Sequence, residues 1–306
     1  MKNKIIMIFG FIFLCGVLYA AGSKETSPKG DKGLDEKMAG YDTSAQVPRR
    51  TVVGNIVVLD MLDVLDVDVV ALPATRRKID PKHQNKPRIG NPMNPDIEQL
   101  KSVKPDLFVT TGDPNSSFGE QLKAVGIPAA FLKTSTYNDF LDSMQYLGEV
   151  YKKQDKAEAY IQSAKNKVME IINANRDKKK PKVLIVFGTP GSMSIATPDY
   201  SFTGNLVKII GGQNIWSDGK IRNAYAPINF ELIKAENPDV ILRMTHVSPE
   251  QSVKMFEKEF LNEFWSKLDA VKNGKVYDLD NEHFGVAGNI HITEAVEILS
   301  RYIYGE

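Results

Sequence analysis

Two stretches of this chain, far apart, spell the same supersecondary unit. Residues 98–109 read EQLKSVKPDLFV and residues 231–242 read ELIKAENPDVIL, with Glu, Lys, Pro and Asp at identical spacing. Each copy reads as a short helix, a Pro-Asp turn and an apolar, β-rich run. Proline cannot continue a helix and biases the residue before it away from helical backbone, so each helix must stop and reverse into a strand. A unit repeated at wide separation in a chain of 306 residues implies two similarly built lobes.

Around these copies, short β-rich runs alternate with amphipathic helical patterns. The candidate strands are 69–72, 106–110, 129–132, 182–187, 239–244 and 275–279, with helices between them such as 251–260 and 292–304. Strand–helix alternation predicts parallel sheets and an α/β class. Residues 154–175 differ. They hold no Gly or Pro, and Ala157, Ile161, Ala164, Val168 and Ile171 recur at spacings of three and four. That pattern predicts one continuous helix of about 22 residues, roughly 33 Å long, fit to act as a strut between two halves. As a crossover helix it is simply long.

The amino terminus carries an address. Met1-Lys2-Asn3-Lys4 is basic, 5–19 is almost unbroken apolar sequence, and Ala20-Ala21-Gly22-Ser23 is a small-residue exit. This is the layout of a secretory signal peptide, and the apolar run is shorter than the ~20 residues of a bilayer span. Cys15, the one cysteine, sits inside the run behind Leu14. Cleavage near Ala20 or Ala21 is expected, with lipidation of Cys15 as the alternative, and the mature chain is expected to have no disulfide. The organisation predicted is a signal peptide over 1–21, a polar tether over 22–47, a first α/β lobe over 48–150, a linker helix over 151–178 and a second lobe over 179–306. Net charge is +1, which leaves no diffuse basic surface for nucleic acid or an anionic membrane.

Two side chains could carry chemistry. In open α/β sheets, ligands bind outside the carboxyl ends of the strands. The run 239–244 leads into Thr245 and His246, then Ser248, Pro249 and Gln251, which read as an N-cap, a first-turn proline and a capping box. In the first half Met93 precedes Asn94-Pro95-Asp96, which read as a cap, a first-turn proline and an acid at a helix start. Alone, either residue suits an ordinary packing or surface position. Together they are one thioether and one imidazole, each expected before a capped helix, one per lobe. Such a pair suits the axial positions of heme iron and is a poor choice for Ca or Mg. The basic cluster Arg76, Arg77 and Lys78 follows the run 69–72 and is a candidate for holding heme propionates, or is simply a solvated loop. His83, His283 and His291 show no metal-ligand spacing and read as surface or structural histidines. No thiol nucleophile remains in the mature chain, and no H-E-x-x-H, G-x-S-x-G, Walker or dinucleotide fingerprint occurs.

At these residues the chain resembles the substrate-binding proteins of ABC importers for heme, siderophores and cobalamin. It is most similar to the heme-binding lipoproteins of Gram-positive iron-regulated surface determinant systems. The resemblance runs from about residue 51 to 304. It is most specific at GNPMNP (90–95), at 181–197, and at NPDVILRMTH (237–246) with AVKNGKVYDL (270–279). It implies two Rossmann-like lobes joined by a single long helix, as in class III periplasmic binding proteins, with the ligand in the inter-lobe cleft and only modest hinge motion. It implies Met93 and His246 as heme-iron ligands, and Glu98 and Glu231 as docking residues for arginines of the permease. It further implies a monomeric, non-enzymatic receptor that captures heme and feeds an ABC importer. A ferric siderophore or cobalamin is the alternative ligand, and a tetrapyrrole-processing enzyme such as a chelatase is a more distant alternative. The chain departs from the lipid-anchored members in lacking a clear lipobox, which points to the periplasm, and in its more basic loop over 76–87.

Overall fold

The computed structural model describes residues 41–216, 222–246 and 248–305. The expected signal peptide, Cys15 and the expected tether up to residue 40 lie outside the described residues. From Tyr41 the chain is tied to the body: its amide donates to Tyr146 Oη at 2.9 Å, and that hydroxyl donates to the Tyr41 carbonyl at 2.8 Å.

The first lobe is β1 (Thr51–Val53), α1 (Ile56–Val64), a small hairpin of β2 (Gly90–Asn91) and β3 (Asn94–Pro95), α2 (Ile97–Ser102), β4 (Leu107–Thr111), α3 (Ser117–Ala124), β5 (Ala129–Leu132) and α4 (Tyr137–Val150). Its main sheet is parallel, in the order β1-β4-β5. The expected strand over 69–72 is reduced to isolated bridges, Val52 to Ala71 and Leu72 to Arg88. Pro73 follows at once, and without an N–H it cannot extend a ladder.

Next comes α5 (Gln154–Ala174), the long helix, whose buried residues are Ala157, Ile161, Ala164, Val168 and Ile171. The second lobe is β6 (Lys182–Thr189), β7 (Ser192–Ala196), α6 (Phe202–Ile209), β8 (Gln213–Asn214), β9 (Tyr225–Pro227), α7 (Phe230–Glu236), β10 (Val240–Thr245), α8 (Pro249–Glu259), α9 (Glu263–Ser266), α10 (Asp269–Lys272), β11 (Val276–Leu279) and α11 (Ile292–Tyr304). Its sheet runs β11-β10-β6-β7-β9 and is mixed, not purely parallel as expected. Pro190 and Gly191 (φ +80°) form a two-residue turn that folds β7 back antiparallel on β6.

The repeated unit has a structural counterpart. In each copy the residue before proline is left-handed, Lys104 at φ +47° and Asn237 at φ +42°. The following aspartate then clips the neighbouring parallel strand. Asp106 accepts from the amides of Arg49 (2.7 Å) and Arg50 (2.9 Å), just before β1. Asp239 accepts from the Lys182 amide at 2.8 Å, at the start of β6. These carboxylates satisfy amides that would otherwise end a ladder unpaired. Because α2 and α7 return directly to the amino ends of β4 and β10, their own amino ends lie at the carboxyl edges of the sheets.

One buried apolar cluster runs from Val53 and Leu62 through Ile161 and Val168 to Val183, Leu242 and Leu299. It therefore spans both lobes and the helix between them. Close-packed interiors transmit strain and deform little, so the two lobes are held as a stiff pair.

Candidate ligand-binding cleft

The carboxyl edges of the two sheets meet. Beyond β5, the Thr134 carbonyl accepts from the Gly288 amide of the second lobe at 2.7 Å. The Tyr137 amide, first of α4, donates to Asn205 Oδ1 on α6 at 3.0 Å. Phe140 and Phe202 face each other across this seam with ring centroids 6.5 Å apart, and Tyr160 of the long helix donates to the Ile290 carbonyl at 3.0 Å. The loop over 280–291, leaving β11, is thus the floor where the lobes join.

His246 leaves the end of β10 and is exposed. Beside it, Thr245 Oγ1 is 3.5 Å from Asn281 on the neighbouring exit. The expected capping box behind it does not form. Ser248 adopts left-handed backbone (φ +48°, ψ +63°) and makes no side-chain cap bond, so only its carbonyl serves the Gln251 amide, at 3.1 Å. A non-glycine residue in that conformation stores about 1–3 kcal/mol of strain, a feature that clusters at ligand clamps.

Met93 does not precede a helix. It sits in the turn between β2 and β3, its amide donating to Asn91 Oδ1 at 2.9 Å, and it is 90% exposed. Asn94 and Pro95 form the returning strand, and Asp96 is the cap of α2, accepting from Glu98 (2.9 Å) and Gln99 (3.0 Å). Gly90, at φ +88°, sets the hairpin because an L side chain rarely adopts that backbone.

The basic loop is divided. Arg77 Nη1 donates to Asp60 Oδ2 on α1 at 2.7 Å. Burial nevertheless pushes the Asp60 carboxyl up, and Arg77 and the nearby His291 of the other lobe only partly offset it. Arg76 and Lys78 are exposed and carry no ion pair among the described residues. Glu98 is exposed and paired with Lys101 at 3.0 Å, whereas Glu231 is exposed with no ion pair among the described residues. Both stand in the first turn of the repeated helix, at equivalent points of the two lobes.

Of the remaining histidines, His83 is structural: it is fully buried, with Nε2 2.9 Å from Asp63 Oδ1. His283 and His291 are half-buried and stand together in the floor loop with ring centroids 5.5 Å apart. The Asp280–His283 spacing was the available signal in the sequence.

Two α/β lobes on one long helix, facing each other by their carboxyl edges, define a substrate-binding protein of an ABC importer, acting outside the cytoplasmic membrane. A model for the periplasmic binding protein family matches residues 52–283, and the chain belongs to that family. The high-affinity heme uptake system protein IsdE of Staphylococcus aureus (strain Newman) is 34% identical over 248 residues, covering 79% of this chain and 83% of the relative. The crystal structure of S. aureus IsdE complexed with heme superposes with a TM-score of 0.76 at 32% identity, over 83% of this chain and 98% of that one. An ABC transporter substrate-binding protein from Listeria monocytogenes EGD-e gives a TM-score of 0.77 at 30% identity, over 85% and 100% of the two chains. The petrobactin-binding protein YclQ of Bacillus subtilis shares the fold, with a TM-score of 0.68 at 20% identity over 85% and 94%. These relatives are substrate-binding proteins, not enzymes.

Proposed function

We propose that this protein is an exported heme receptor that captures heme in the inter-lobe cleft and delivers it to an ABC permease. The observation that carries the reading is a pair of exposed soft donors, the Met93 thioether on the first lobe and the His246 imidazole at the exit of β10 on the second. A neutral sulfur and a neutral nitrogen from opposite lobes suit the two axial positions of one iron. The 34% identity to a heme uptake protein supports the same ligand. Arg76 and Lys78, free of ion pairs among the described residues, are the cations for the heme propionates; Arg77 is already engaged by Asp60. Glu98 and Glu231, at equivalent rim positions, dock on basic groups of the permease. The receptor works as a monomer in the periplasm after loss of about the first 20 residues.

A ferric siderophore is the second reading, and the same unpaired basic loop favours it, since such ligands are often anionic. The two separate in one experiment. Purified protein is titrated with hemin and, in parallel, with a ferric catecholate, and the visible spectrum is followed. Hemin uptake with a sharp low-spin Soret band is expected. His246→Ala should weaken hemin binding at least tenfold and Met93→Ala should weaken it less, because water can fill the sixth position. A His246→Ala protein whose spectrum and affinity match the parent sinks the ligand assignment.

A further inference from the structure

The floor loop contains a second built imidazole. Asp280 Oδ1 accepts from the amides of Glu282 (3.0 Å) and His283 (2.9 Å) and lies 2.8 Å from His283 Nδ1. A carboxylate oxygen at Nδ1 is met by an N–H there, which leaves Nε2 as the acceptor nitrogen of the ring. A carboxylate behind an imidazole is the arrangement that orients metal-ligating histidines and raises their basicity.

The loop around it is fixed by Asn289, which is 6% exposed. Asn289 Nδ2 donates to the His283 carbonyl at 3.0 Å, and its Oδ1 accepts from the His291 amide at 2.8 Å. One buried side chain therefore ties both histidines, and the His291 ring stands edge-on to His283 at 65°. In the parallel pairing of β10 with β11, Met244 is opposite Leu279. Continued by two residues, that register sets the exit carrying His246 beside Asn281, two residues before His283. Both imidazoles thus belong to neighbouring strand exits of the second lobe.

We propose that His283, positioned by Asp280, is a further nitrogen donor for the iron of the bound heme, exchanging with His246 on the face turned to the second lobe. This rests on the heme reading above. The exchange breaks one iron–nitrogen bond and makes another, with no change of oxidation state, because each ring binds through the lone pair of one nitrogen. A pre-oriented alternative donor lets the iron leave His246 during loading or release without becoming bare on that face.

The test uses the full mature chain and hemin. His246→Ala is expected to keep a low-spin fraction, and His246→Ala/His283→Ala to lose it, with a further fall in affinity of at least tenfold. His246→Ala/His283→Gln, which preserves the bulk beside Phe284 and His291, should behave like the second of these. Asp280→Asn in the His246→Ala background should reduce the low-spin fraction. Nitrogen-15 spectra of the ligand-free protein should show His283 as the Nδ1–H tautomer. Identical hemin spectra and affinities for His246→Ala and His246→Ala/His283→Gln overturn this proposal alone, as does an Nε2–H tautomer at His283. A parent protein that takes up no hemin overturns the heme reading and this proposal with it.

Discussion

The seam at Gly288 should control both stability and ligand affinity. A Cβ added at Gly288 would meet Phe140 Cδ2 at 2.8 Å, Phe202 Cε2 at 2.9 Å and the Thr134 carbonyl oxygen at 3.0 Å. None of these can easily retreat. The two rings are 0% and 1% exposed, and the carbonyl already accepts the Gly288 amide. Overpacking of this kind costs about 1–3 kcal/mol. Gly288 is outside the left-handed region, so an alanine there also gains roughly 0.4–1 kcal/mol from the stiffer unfolded chain. The net expectation for Gly288→Ala is a loss of about 1–2 kcal/mol, or a melting temperature lower by roughly 2–4 °C at about 2.1 cal/mol/K of unfolding entropy per residue. Gly285→Ala is the control three residues away. Its Cβ meets nothing closer than the Ala287 carbonyl at 3.4 Å, so it should be neutral or slightly stabilising. Calorimetry or melting followed by circular dichroism reads both. Since Phe140 and Phe202 belong to opposite lobes, relief of the clash must spread the cleft floor, and hemin affinity should fall with the melting temperature. Equal stability of the two variants would show that the seam is not packed as described.

Replacing both Glu98 and Glu231 by Ala should abolish ligand uptake by whole cells while hemin binding in solution stays within twofold; loss of hemin binding refutes the docking role. Asp106→Ala should cost more stability than Asp239→Ala, because it strands two strand-leading amides instead of one; urea midpoints should show losses of about 1–3 kcal/mol in that order, and the reverse order contradicts the clip. Asp280, held below its ordinary range, stabilises the fold above its unfolded value of about 3.9, and that contribution is lost as pH falls through the lower folded value. Asp280→Asn should therefore flatten the acid limb of stability, and an unchanged limb counts against the bond to His283.

Whatever depends on neighbours along the chain was legible in the residues. The five apolar positions of the long helix are its buried face as the spacing of three and four requires, and 292–304 is helical over its whole expected length. The paired Pro-Asp units were legible as two like helix–turn–strand pieces because a left-handed residue, a proline and a carboxylate that clips the neighbouring strand lie within a few residues of one another, although the sheets around them differ in strand number and direction. The site was legible only as residue types. Met93 was recognisable as an isolated thioether, but its hairpin depends on the Asp96 amide donating to the Ile89 carbonyl and the Ala74 amide to the Gly90 carbonyl, each at 2.8 Å. The capping box at Ser248 does not form, its backbone being left-handed with no side-chain cap bond. Tertiary structure alone decided that Gly288 closes on Thr134, that Arg77 is taken by Asp60, and that Asn289 holds two histidines eight residues apart in one cluster. The Gly288–Thr134 contact closes the longest of these loops, and its cost in chain entropy is met only when both lobes have buried their shared core.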